Sequence, residues 1–180
     1  NELKNQHQVS KQNMQIDRTD LMILHELSRD ARQSLVDLAE RIGLSTTAIA
    51  RRQKALEDSG VIQSYHLGLD LRQLGYSLTV LVRITLDSQS DAALRAFESG
   101  VSECPAVTRC FLMSGTDDYL ALVVAKDIDD FERVHRTELS RLPRVSRIQS
   151  SFAIRDVVQR PAPLSLFQPV AVAGRKKGRG

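Results

Sequence analysis

At 180 residues and 42% hydrophobic content, the chain is long enough for one ordinary domain or two small ones with buried cores. No run approaches the roughly 20 apolar residues that span a bilayer, and the polar opening NELKNQHQVSKQN has no apolar signal-peptide core, so a soluble cytoplasmic protein with no membrane partner is expected. Most of the net charge of +3 sits in Arg175, Lys176, Lys177 and Arg179 of the tail GRKKGRG; without them the body is slightly acidic, so any nucleic-acid surface has to be a local patch.

Residues 1–15 are polar and aperiodic and are expected to form a flexible arm. From Ile16 the pattern becomes helical. Asp17 can cap a first helix with Asp20 three positions on, Ile16 and Leu21 can staple its entry, and Leu21, Leu24 and Leu27 recur at helical spacing to about Arg29. Ser34 starts a second helix, with Asp37 completing a capping box, Leu35, Leu38, Ala39 and Ile42 forming the buried stripe and Gly43 ending it. Ser45 caps a third after only the Gly43-Leu44 step; Ile49 and Leu56 face inward and Gly60 stops it. Three short helices, the last two joined by a tight glycine turn, have the layout of a helix-turn-helix, and VIQSYHLGL after Gly60 reads as the extended segments of a wing. This domain is expected over residues 16–67, followed by a linker over 68–76.

The period then switches to two. Leu78, Val80, Val82, Ile84 and Leu86 share one strand face, opposite Thr79, Leu81, Arg83 and Thr85. A helix over about 91–103, strands over about 106–114 and 118–125, a helix capped by Asp127 that buries Ile128, Phe131, Val134 and Leu139, and a last strand over about 145–158 complete a βαββαβ order. The fold class is therefore α+β: an N-terminal winged helix-turn-helix plus a C-terminal ferredoxin-like domain over residues 77–160. A Pro-containing basic tail over 161–180 closes the chain. The third strand, YLALVVAK, is apolar on both faces, so the face left over by the helices needs a partner, most simply the same sheet of a second subunit.

In a helix-turn-helix the early residues of the third helix reach base edges, here Thr46, Thr47, Ala48 and Ala50 with Arg51 and Arg52 behind them. Arg41, Arg51, Arg52 and Lys54 lie between Glu40 and Glu57 with no acid interrupting them, which marks the local basic patch. Enzyme readings have little support. The four histidines show no ligand spacing, no glycine-rich phosphate loop is present, Cys104 and Cys110 match no zinc or redox motif, and no nucleophile and base can be paired. No cofactor or metal site is expected. The stretch SGTDDYL, residues 114–120, must turn the chain between two strands, and its glycine and aspartates are sufficient turn chemistry. It is also suited to binding: N–H groups at Gly115 and Thr116 with the Thr116 hydroxyl suit a carboxylate, and Asp117 or Asp118 an ammonium, which together describe a free amino acid.

DRTDLMILHELSRDAR, LVDLAERIGLSTTAIARRQKALEDSGVI and MSGTDDYLALVVAKD, in that order and at those separations, resemble the Lrp/AsnC (feast/famine) family of transcriptional regulators over about residues 16–159. The resemblance implies a promoter-binding regulator of amino-acid metabolism genes and of its own gene, dimeric and assembling to tetramers or octamers, with an amino-acid effector held between subunits. It assigns Ser45, Thr46, Thr47, Arg51 and Arg52 to DNA reading, beside Lys54 of the basic patch. It assigns Gly115, Thr116, Asp117, Asp118 and Tyr119 to an effector loop with Met113, Ser150 and Ser151 as walls. The alternative is an amino-acid-binding module, or a regulatory subunit of an enzyme, whose N-terminal helices make protein contacts.

Overall fold

The computed structural model describes residues 15–168, so most of the expected arm and the basic end of the tail lie outside it. The described residues divide into two compact units, 15–67 with 159–168, and 68–158.

In the first unit, α1 (Arg18–Arg29), α2 (Leu35–Ile42) and α3 (Thr46–Asp58) each begin at a side-chain cap. Asp17 and Ser34 form reciprocal capping boxes with Asp20 and Asp37, which satisfy backbone donors that would otherwise be unpaired. Gly43 closes α2 at φ +78°, in the left-handed region, and lets the cap of α3, Ser45, follow two residues later. Ile23, Leu27, Leu38, Ala39, Ile49 and Leu56 are the core of the unit, with Ile16, Leu24, Ile42 and Ile62 at its edge. The expected stripe of α1 is thus shifted, with Ile23 buried and Leu21 only half-buried, while Leu35 lies outside the core. Residues 61–69, expected as the wing, run without strand pairing among the described residues. They are held by side chains instead: the Tyr65 phenol donates to Glu57 Oε1 at 2.7 Å and accepts from Gln53 Nε2 at 3.0 Å. Of the tail, Leu164–Phe167 forms one 3-10 turn that packs on α1, with the Phe167 and His25 rings 4.9 Å apart.

The second unit is built from β1 (Leu78–Leu86), α4 (Asp91–Ser102), β2 (Val107–Leu112), β3 (Tyr119–Ala125), α5 (Ile128–Thr137) and β4 (Val145–Ala153). The sheet is antiparallel throughout, in the order β2-β3-β1-β4. Val80, Val82, Ile84 and Leu86 of β1 and Tyr119, Ala121, Val123 and Ala125 of β3 are buried together with Phe97, Val101, Phe131, Val134 and Leu139. Gly100 sits in the last turn of α4 with Pro143 against it; a Cβ there would stand 2.8 Å from Pro143 Cδ. Two expectations change. Ile128 is 67% exposed in the first turn of α5 instead of buried, and β4 ends at Ala153. The other sheet face carries Leu81, Leu120, Leu122 and Val124, half-buried and with no helix over them among the described residues.

Candidate DNA-reading helix and effector loop

The first turn of α3 presents Thr46 and Thr47 to solvent, where no side-chain hydrogen bond occupies either hydroxyl among the described residues. Ser45 Oγ is committed to the helix itself, accepting from Ala48 N at 3.2 Å. The basic patch sorts by carboxylate partner. Arg41 pairs with the half-buried Glu26 at 3.2 Å and Lys54 with Asp58 at 3.0 Å; both cations are themselves exposed, and the Lys54 pair is of the kind that exchanges readily for other anions. Arg51 is exposed and has no carboxylate partner among the described residues, which makes it the freest cation of the helix.

Arg52 is employed within the unit. Its Nη1 donates at 2.8 Å to Asp17 Oδ2 and to Asp20 Oδ1, and Asp20 is only 2% exposed. The hydrogen bond from the Asp20 N–H, followed by that from Arg52, holds the Asp17 carboxyl below the usual carboxylate range against the opposing effect of its burial. Sequence spacing marked Arg52 as part of a charged face; only the crossing of α3 over the start of α1 shows that this guanidinium points inward.

The β2–β3 connection forms a small cavity of about 170 Å³ lined by Arg83, Met113, Ser114, Gly115, Thr116, Asp117, Tyr119 and Leu120. Five of the eight expected effector residues meet there: Met113, Gly115, Thr116, Asp117 and Tyr119. Arg83 and Ser114 were missed. Arg83 lies on the helix-free face of β1, opposite Leu120 in register, so the alternation of β1 held the signal but not the neighbour across the strand. Arg83 is the one cationic residue that lines the cavity and Asp117 the one carboxylate, so the lining offers a receiver for each pole of a zwitterion.

Asp118 does not line the cavity. It is 6% exposed, and its Oδ2 accepts from Leu86 N at 2.7 Å and its Oδ1 from Gln89 Nε2 at 2.8 Å. The neighbouring backbone continues this clamp: Asp118 N donates to Ile84 O at 3.0 Å and Met113 N to Asp118 O at 2.8 Å. The two adjacent carboxylates therefore do different things, Asp118 tying the loop to the end of β1 and Asp117 facing the cavity. Tyr119 anchors the other side. Its ring packs 4.3 Å from Phe97 and its phenol donates to Glu98 at 2.8 Å; burial, followed by the Glu98 carboxylate, pushes the phenol well above its ordinary range, so it stays protonated. Ser150 and Ser151 stand on β4 opposite Val82 and Leu81 and are not among the cavity's walls.

A DNA-reading three-helix unit and a sheet domain with a charged loop cavity define a ligand-responsive DNA-binding regulator. Residues 16–63 match the winged helix-turn-helix DNA-binding family and residues 79–163 the Lrp/AsnC ligand binding domain. The Bkd operon transcriptional regulator of Pseudomonas aeruginosa is 38% identical over 83% of this chain and 97% of its own length. The proline dehydrogenase transcriptional activator of Rhodobacter capsulatus is 36% identical over 82% of this chain and 96% of its own. Among solved structures, a Neisseria meningitidis transcriptional regulator in complex with L-Met superposes with a TM-score of 0.79 at 30% identity, covering 83% of this chain and 97% of that one. An AsnC family transcriptional regulator from Agrobacterium tumefaciens gives a TM-score of 0.79 at 33% identity, covering 85% of this chain and all of that one. The chain belongs to the Lrp/AsnC family of transcriptional regulators; it is a DNA-binding regulator with a ligand-binding domain, not an enzyme.

Proposed function

We propose that the protein senses a free amino acid at the 113–120 loop and transmits its presence to promoter DNA, controlling amino-acid metabolism genes and its own gene in the cytoplasm. The observation that carries this reading is that Arg83 and Asp117, one cation and one anion, line the same small cavity in a ligand-binding domain. A zwitterion needs those two poles, and the α-carboxylate would go to Arg83 with the Thr116 hydroxyl while the ammonium goes to Asp117. The likeness to a regulator solved with L-methionine supports the ligand class.

At about 170 Å³ the cavity is smaller than the roughly 300–1,000 Å³ usual for small-molecule sites, which fits a pocket completed by a second subunit. Leu81, Leu120, Leu122 and Val124 on the helix-free sheet face supply an apolar surface for a homodimer, from which tetramers or octamers follow by further contacts. Thr46, Thr47, Arg51 and Lys54 then read the major groove, with Ser45 capping and Arg52 positioning the helix that carries them. Dimer symmetry places two such helices on the half-sites of a pseudo-palindrome.

The test is a thermal-shift screen against the twenty amino acids, paired with gel retardation on the DNA upstream of the protein's own gene. An effector at 100 times its Kd adds about 2.7 kcal/mol and raises Tm, and the same compound changes the retarded complex. The reading is overturned if no amino acid shifts Tm, or if the shift persists unchanged in Arg83→Ala and Asp117→Ala.

A further inference from the structure

From Val157 to Gly180 the chain carries Arg160, Arg175, Lys176, Lys177 and Arg179 and no carboxylate, while the rest of the sequence is slightly acidic. These cations have no counter-ion within their own segment. Charge of one sign gathered in this way is stabilised by an anionic partner.

The described part of the segment is fastened to the three-helix unit. Residues 159–168 group with that unit and not with the sheet that precedes them. Pro161 and Pro163 restrict the backbone, and Pro163 leads into the 3-10 turn Leu164–Phe167, whose Leu166 N–H donates to Pro163 O at 3.0 Å. The turn packs on α1, and the half-buried Phe167 sets its ring 4.9 Å from that of His25. The anchor is close to the recognition helix. His25 lies five residues, about 8 Å along the helix axis, from Asp20, where Arg52 of α3 crosses. Arg175 follows Phe167 by eight residues, which span up to about 28 Å when extended, more than the roughly 18 Å length of α1.

We propose that the tail is a second DNA-contacting element. The turn Leu164–Phe167 holds it on α1, and Arg175, Lys176, Lys177 and Arg179 contact phosphates of the duplex that α3 reads. Such contacts release counter-ions and carry no base information, so they strengthen binding to every duplex and leave the choice of operator to α3. The anchor acts through effective concentration: once α3 is engaged, tethered cations meet the adjacent phosphates intramolecularly. The proposal rests on DNA binding by the first unit and is independent of the effector loop.

The 180-residue chain is titrated by fluorescence anisotropy against two labelled duplexes of equal length, the DNA upstream of its own gene and a random sequence, between about 50 and 200 mM salt. Arg175→Gln, Lys176→Gln, Lys177→Gln and Arg179→Gln together should flatten the dependence of log Kd on log salt by about 2–4 for each chain bound, since each phosphate contact contributes about 0.9. The change should be the same on both duplexes, with Tm unaltered. Phe167→Ala should weaken binding severalfold in the otherwise wild-type chain and not at all in the quadruple variant. A quadruple variant with the wild-type slope overturns the proposal and leaves the recognition helix standing, whereas wild-type protein that binds neither duplex overturns both. A loss of equal size on Phe167→Ala in the two backgrounds also overturns it, because the turn would then act on the fold of α1 and not through the cations.

Discussion

Arg52, on the helix proposed to read DNA, donates at 2.8 Å to Asp20, a carboxylate 2% exposed in the first turn of α1. The pair joins the recognition helix to the helix that starts the unit. Removing the cation leaves a buried carboxylate without its charge partner. Arg52→Ala is therefore expected to lower the Tm of the first unit and to weaken DNA binding through loss of order. Arg51→Ala is expected to leave Tm unchanged while costing about 1–3 kcal/mol of operator affinity for a base contact, or reducing the salt slope for a phosphate contact. Melting curves and salt-dependent retardation of both variants separate the roles; equal Tm loss in the two would remove the distinction.

Asp117 and Asp118 should separate as sharply. Asp118→Ala strips the partner from the buried Leu86 N–H and is expected to cost about 1–3 kcal/mol of stability. Asp117→Ala touches a half-buried loop position where no hydrogen bond of the Asp117 side chain is found among the described residues, and should stay within about 0.5 kcal/mol while abolishing the amino-acid response. Denaturant unfolding of the two variants checks this, and a stable Asp118→Ala would show that the clamp on β1 is dispensable.

Gly43 offers a test of backbone conformation alone. Its φ is +78°, and an added Cβ would meet nothing within 4 Å. Gly43→Ala should then cost about 1–2 kcal/mol, from the left-handed conformation rather than from any clash. Unfolding free energies from denaturant titration give the value directly; a neutral variant would mean that the turn between α2 and α3 relaxes without strain.

The acid response of the first unit follows from its caps. Asp17 is held below the usual carboxylate range by the Asp20 N–H first and then by Arg52, and Asp37 by the Ser34 hydroxyl and N–H. A carboxyl with a depressed folded-state pKa contributes stability above its unfolded pKa of about 3.9 and loses it as pH falls through the folded value. The Tm difference between the wild-type protein and Asp17→Asn is expected to be constant above about pH 5 and to shrink towards zero below about pH 3. A difference independent of pH across that range would assign the role of Asp17 to geometry alone.

The helix caps, the period-two strands and the βαββαβ order were legible along the chain because each is a local pattern: a capping residue with its partner three positions away, a glycine after a buried stripe, an alternation along one strand. The family resemblance rested on the same stretches. What the tertiary structure decided was the employment of individual charged groups. Arg51 and Arg52 are adjacent in sequence and equally basic, yet one faces solvent and the other reaches Asp17 and Asp20, 35 and 32 positions away. Asp117 and Asp118 divide in the same way, because Leu86 N comes within 2.7 Å of only the second. Arg83 enters the loop cavity through strand register, and Arg133 reaches both Asp130 and Glu138 through helix placement. A sequence determines which side chains carry charge and on which face of an element they lie; only the folded chain determines which of those charges are already satisfied by a partner far away in the sequence and which remain available to DNA or a ligand.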